Sequence, residues 1–142
     1  MKIHFSSIAV VGAGAMGQGI AQIAAQAGSH VWLLDSKPGA ADKARQAIQQ
    51  QWAKLAAKGR VTEEQVQAWS HQLQIANTLA DLGPCQLVIE AVVERLEVKQ
   101  ALFAELERTL PANVVWATNT SSLSVTAIAA ALQQPERLAG FH

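Results

Sequence analysis

The sequence predicts an α/β fold built on a doubly wound, mainly parallel sheet, and three observations predict it. Short β-rich runs alternate with longer helical patterns along the 142 residues. The first run passes straight into a glycine loop and an alanine-rich segment of helical character, Ile8-Ala-Val-Val-Gly-Ala-Gly-Ala-Met-Gly-Gln-Gly-Ile-Ala21. The second run, Val31-Trp-Leu-Leu-Asp35, closes on an acid 18 residues after Gly17.

The remaining elements follow in order. Strands are expected at Ile8 to Val11, Val31 to Leu34, Gln74 to Ala76, Leu87 to Glu90 and Val114 to Ala117, with a last apolar run from Leu138 to Phe141. Between the second and third strands, over about residues 37–73, lies a helical insert. Ala41, Ala44, Ile48, Trp52 and Leu55 recur there at three- and four-residue steps and make one apolar stripe. After Gly59, Thr62 with Gln65 three residues on reads as a capping box, and Val66, Trp69 and Leu73 carry a second amphipathic helix. The insert is therefore a helical hairpin, either a packing lid for the sheet or an arm that meets part of a large substrate. Glu94 to Leu110 places Val98, Leu102, Phe103, Leu106 and Leu110 on one face before Pro111 ends the pattern. Ser122 or Ser124 is placed to cap a helix carrying Val125, Ile128 and Leu132.

Composition bounds the function. Half the residues are hydrophobic, enough for one core in a single domain and too few residues for two. Eleven basic and 11 acidic residues cancel without forming blocks, which argues against a nucleic-acid groove or an anionic membrane surface. No segment approaches the roughly 18 apolar residues of a membrane span, and Met1 to Ser7 lacks a leader-like apolar core, so a cytoplasmic protein is expected. Cys85 stands alone, which leaves no internal disulfide or multi-cysteine metal site and makes it a small buried hydrophobe.

The glycine loop carries the chemistry. Gly12 allows the tight turn out of the strand, Gly14 lets backbone approach a pyrophosphate, and Gly17 lets the helix lie close to the sheet, so the sheet is Rossmann-like. The helix N-terminus at Ala13, Ala15 and Met16 offers free N–H groups and partial positive charge to phosphates. Asp35 is placed to accept hydrogen bonds from the adenosine ribose and to repel a 2′-phosphate, which favours NAD over NADP.

Other polar residues sit just beyond strand ends, where ligands of open α/β sheets bind. Glu90 and Glu94 follow the fourth strand; Glu94, Arg95, Glu97 and Lys99 read by themselves as a solvated helix start. Thr118-Asn119-Thr120-Ser121-Ser122 follows the fifth, either turning the chain or aiming hydroxyls and N–H groups at a nicotinamide or substrate oxygen. His142 ends the last apolar run, whereas His4, His30 and His71 read as surface or packing residues.

Four blocks in order, Gly12 to Ala21, Val88-Ile-Glu-Ala-Val-Val-Glu94 with Lys99, Asn119-Thr-Ser-Ser122, and Pro135-Glu-Arg-Leu-Ala-Gly-Phe-His142, resemble the 3-hydroxyacyl-CoA dehydrogenase family from about Ser7 to His142. The likeness is to bacterial members serving fatty-acid β-oxidation or phenylacetate breakdown. It implies oxidation of a (3S)-3-hydroxyacyl-CoA to the 3-oxoacyl-CoA with hydride transfer to NAD. It places the pyrophosphate on Gly12 to Gly17, with Ala13, Ala15 and Met16 between, and the ribose on Asp35. Glu94, Lys99 and Asn119 then belong to the NAD site, and Ser121 stands where nicotinamide meets substrate. His142 becomes the catalytic acid/base, with Phe141 where the family motif Gly-Leu-His-Phe-Phe-Asn-Pro has leucine.

The family's CoA contacts fall on Lys58 and, where it has a serine, on Gln51. The resemblance also implies an acyl-CoA substrate and a homodimer formed through a C-terminal helical domain. The family's glutamate that orients the histidine would lie past His142, so the expectation is a nucleotide-binding domain of a longer enzyme, catalytically impaired by itself. Two other readings are an NAD-dependent dehydrogenase of a free 3-hydroxy acid and a non-catalytic NAD-binding relative of the kind found among crystallins.

Overall fold

The computed structural model describes residues 5–120 and 123–140. Six parallel strands, β1 (Ser7–Val11), β2 (His30–Leu34), β3 (Leu73–Ile75), β4 (Leu87–Glu90), β5 (Val115–Thr118) and β6 (Leu138–Gly140), form one sheet in the order β3-β2-β1-β4-β5-β6. The expected strands are all present, each within one residue of its expected start. Every pairing is parallel, as crossover connections between neighbouring strands require.

The order reverses between β1 and β4. Strands numbered leftward from β1 take their crossovers on one face, through α1 (Ala15–Gln26), α2 (Ala40–Ala57) and α3 (Glu63–Gln72). Strands numbered rightward take theirs on the other, through α4 (Leu96–Thr109) and α5 (Val125–Ala129), because right-handed connections in opposite directions fall on opposite faces. Side chains alternate to match. Ile8 and Val10 enter the core with Ala21, Ala25, Ile48 and Trp52, whereas Ala9 and Val11 enter the core with Phe103, Leu106 and Trp116.

The helical hairpin forms as its stripe predicts. Ala41, Ala44, Ile48 and Trp52 are buried along α2. Thr62 and Gln65 make both bonds of the capping box, at 3.1 and 2.9 Å. Ser124 caps α5 by accepting the Ala127 N–H at 3.2 Å. Two expectations need correcting: α5 ends at Ala129, short of Leu132, and Leu73 does not continue α3 but opens β3, pairing with Val31. With it removed, α3 holds no fully buried residue and docks through the half-buried Trp69, whose ring centroid lies 5.5 Å from that of Trp52.

Cys85 is buried as expected, and loss of solvation pushes its thiol up to about 12, so it stays a neutral hydrophobe. On the second face, Trp116 packs 6.2 Å from Phe103 and carries the Arg137 guanidinium 3.9 Å from its ring centroid. Arg137 also donates to the Val114 and Pro111 carbonyls, which ties the approach to β6 against β5. On the α1 face, Leu87, Ile89, Val115 and Ala139 line an apolar groove of about 660 Å³ beside Ile20 and Ile23, without a covering helix among the described residues.

Trp52 joins the hairpin to α1 as well, donating its indole N–H to the Gln26 side chain at 3.1 Å. Truncation to alanine removes a fully buried ring and that bond, so Trp52→Ala should cost about 3–5 kcal/mol of stability in urea unfolding. A loss under about 1 kcal/mol would mean that the hairpin is not part of the cooperative core.

Candidate functional site

The site lies at the C-terminal ends of β1, β2, β4 and β5, around the switch point between β1 and β4. Gly12 leaves β1 with φ +111°, and its N–H donates to the Leu34 carbonyl at 2.8 Å. A Cβ on Gly12 would stand 2.4 Å from the Ala91 carbonyl oxygen, so glycine is needed for the turn and for the chain beyond β4 to pass alongside. A Cβ on Gly17 would stand 1.7 Å from the Gly12 carbonyl oxygen. The close approach is therefore helix against loop, a refinement of the expected contact between helix and sheet.

Gly14 differs, because a Cβ there would meet nothing within 4 Å. Its surroundings are open on the side where a phosphate would approach. It is the N-cap of α1 with no side-chain cap and no acid in the first turn, leaving the first N–H groups of a 12-residue helix to an anion. Ala15 and Met16 are exposed at this end, and Ala13 is half-buried.

Asp35 is held at the end of β2 by two backbone donors, Ala13 N–H at 2.7 Å and Lys37 N–H at 2.8 Å, one to each oxygen. A carboxylate has about four lone-pair sites, so capacity remains for ribose hydroxyls. A cleft of about 410 Å³ runs from here, lined by Val11, Gly12, Gly14, Asp35 and Ser36 on one side and Ala91, Val92, Val93, Val98 and Leu102 on the other. An acid at one end, an uncapped helix terminus and an apolar wall together suit an adenosine diphosphate moiety.

Lys99 and Glu94 depart from their own local reading. The solvated helix start is not what forms: α4 begins at Leu96, and Lys99 points inward with its side chain 1% exposed. Its ammonium pairs with fully buried Glu90, lies 3.2 Å from Glu94 Oε1 and donates to the Val92 carbonyl at 3.4 Å. Arg95 and Glu97 do remain at the surface. Glu90 also accepts the Thr118 hydroxyl and the Val92 N–H, the latter at 2.7 Å. Glu94 accepts the Thr120 hydroxyl at 2.9 Å, and the Thr120 hydroxyl accepts the Leu123 N–H at 3.0 Å.

Asn119 donates its N–H to the Glu90 carbonyl at 2.9 Å, which places its half-buried side chain at the rim between β4 and β5. Of the expected cofactor residues, Gly12, Gly14 and Asp35 line the cleft, whereas Glu94 and Asn119 follow the ends of β4 and β5 and Lys99 is buried on α4, none of these three lining it. Lys58 and Gln51 are exposed, do not line the cleft, and sit two helical turns apart along the outer hairpin. Ser121 and His142 lie outside the described residues.

Sequence reasoning noticed Glu90 and Thr118 without joining them. They are register partners on adjacent parallel strands, a signal present once β4 and β5 are paired. Removing the Asp35 carboxylate should lower the preference for NAD over NADP by about tenfold or more, measured by titrating Asp35→Ala with both nucleotides. An unchanged preference would place the 2′-hydroxyl elsewhere.

Comparison with known proteins gives the family and the fold. The family model described as 3-hydroxyacyl-CoA dehydrogenase, NAD binding domain, matches residues 7–142. A 3-hydroxyadipyl-CoA dehydrogenase of Escherichia coli is 42% identical over 142 residues, covering 100% of this chain and 30% of that protein. A probable 3-hydroxybutyryl-CoA dehydrogenase of Bacillus subtilis is 39% identical over 140 residues, covering 99% of this chain and 49% of that protein. The crystal structure of a 3-hydroxybutyryl-CoA dehydrogenase from Escherichia coli superposes with a TM-score of 0.94 at 41% identity, covering 99% of this chain and 30% of that one. The chain thus spans half or less of these relatives' length. A glycine loop with its acid on β2, set in a parallel sheet of this order and matched over nearly its whole length, makes the chain a member of the NAD-binding domain family of the 3-hydroxyacyl-CoA dehydrogenases.

Proposed function

We propose that this protein oxidises a (3S)-3-hydroxyacyl-CoA to the 3-oxoacyl-CoA with NAD as the acceptor. The observation that carries the reading is the cleft lined by Gly12, Gly14 and Asp35 at the uncapped start of α1, with Asp35 anchored by the Ala13 N–H, in a chain of this family. The relatives, described as a 3-hydroxyadipyl-CoA dehydrogenase and a probable 3-hydroxybutyryl-CoA dehydrogenase, support the substrate class.

Asp35 and the α1 N-terminus hold the adenosine diphosphate half and fix its direction across the sheet. NAD, when bound, takes the hydride from C3 of the substrate. His142 serves as the acid/base for the C3 hydroxyl proton, since imidazole titrates near neutral pH and moves a proton either way. Ser121, one residue beyond Thr120 at the β5 end, hydrogen-bonds the reacting oxygen. Thr120 is buried and bonded to Glu94, so the segment bearing Ser121 starts from a fixed point. Lys58, with Gln51 two turns before it, meets the CoA phosphates from the exposed side of the hairpin.

Initial rates with NAD should show turnover of 3-hydroxybutyryl-CoA by the complete natural polypeptide and none of comparable efficiency with free 3-hydroxybutyrate. His142→Ala should lower kcat by about 10²–10⁴-fold while leaving NAD affinity in place. Equal turnover of the free acid would favour a hydroxy-acid dehydrogenase, and NAD binding without any turnover would favour a non-catalytic nucleotide module.

A further inference from the structure

We infer that Glu90 is a positioning residue for the nicotinamide half of the cofactor, acting through Lys99, Glu94 and the 91–95 turn; this rests on the NAD reading above. Its carboxylate is fully buried at the end of β4 and draws partners from three separate segments: Val92 N–H in the turn, the Lys99 ammonium on α4 and the Thr118 hydroxyl on β5. A carboxylate and an ammonium withdrawn from water give little net stability over an apolar pair of the same volume. What the pair does supply is a fixed location for both groups.

From Glu90 the contacts lead outward. Lys99 reaches the Val92 carbonyl at 3.4 Å and Glu94 at 3.2 Å, and Glu94 takes the Thr120 hydroxyl at 2.9 Å. The contacts pass from a dry interior to a rim where the Glu94 side chain is 35% exposed. That rim lies across the switch point from Asp35. A dinucleotide with its ribose on Asp35 and its pyrophosphate on α1 must extend toward it. Without the Glu90 carboxylate, Lys99 has Glu94 as its one anionic partner among the described residues and is drawn to it, and the rim loses its register. Asp35 takes its bonds from Ala13 and Lys37, and the Gly12 N–H goes to Leu34, so the ribose and pyrophosphate keep anchors that do not run through Glu90, although Ala91 to Val93 form the opposite wall of the same cleft.

The test compares NAD with ADP in calorimetric titrations of the complete natural polypeptide carrying Glu90→Gln. The ratio of NAD to ADP affinity should fall by about tenfold or more, the equivalent of one hydrogen bond to a charged group. Glu90→Asp keeps both charges while retracting the carboxylate by one methylene; it should shift the ratio in the same direction and replaces the first variant if that one does not fold. A merely structural role predicts equal losses for both nucleotides or a lowered Tm alone. An unchanged ratio in a folded variant overturns the inference, as does failure of both variants to fold. Unmodified protein that binds neither nucleotide would overturn the NAD reading itself, and the inference with it.

Discussion

The passage of the chain beyond β4 against Gly12 is the constraint on which the site depends. The Ala91 carbonyl oxygen would lie 2.4 Å from any Cβ at Gly12, and Ala91 N–H is bonded to the Val11 carbonyl at 2.8 Å. These two contacts seal the switch point between β1 and β4 from below, so the cleft has a floor of backbone. Gly17 completes the arrangement by resting its Cα side on the Gly12 carbonyl, which turns α1 toward the opening. A larger residue at either glycine would force the loop apart, and with it the walls formed by Asp35 on one side and the 91–95 turn on the other.

Two kinds of anchoring meet at this floor. On the β2 side, Asp35 is fixed by backbone donors, one from the glycine loop and one two residues on, and remains partly exposed, suited to accept from a ligand. On the β4 and β5 side, the groups are fixed by charge in a dry interior, with Lys99 between Glu90 and Glu94. Leaving a buried charge without its partner costs about 3–5 kcal/mol, so this side keeps a single arrangement. The contrast suits a cofactor whose adenosine end is recognised by shape and hydroxyls, and whose other end must be held against a reacting carbon.

Much of this was legible in the residues. The glycine loop, the acid after β2, the α2 stripe and the Thr62 to Gln65 box are short patterns readable from consecutive residues, although Asp35 is fixed by the Ala13 N–H and Gly12 by the passage of Ala91. The misread elements involve distant partners. Leu73 fits the helical period of α3, but its pairing with Val31 of β2 takes it into the sheet. Lys99 stands among Arg95, Glu97 and Gln100, a solvated pattern by composition, and only the Glu90 carboxylate nine residues back explains its burial. Arg137 gave no signal until β5 brought Trp116 beneath it. Ser121 and His142 rest on the family motifs that contain them.

The most direct measurement is a crystal structure of the protein grown with NAD. The account predicts the adenosine ribose on Asp35, the pyrophosphate over Gly14 and the N-terminus of α1, and the nicotinamide riboside beside Glu94 and Asn119. A dinucleotide bound in the reverse direction, or one that leaves the β4 and β5 rim untouched, would contradict it.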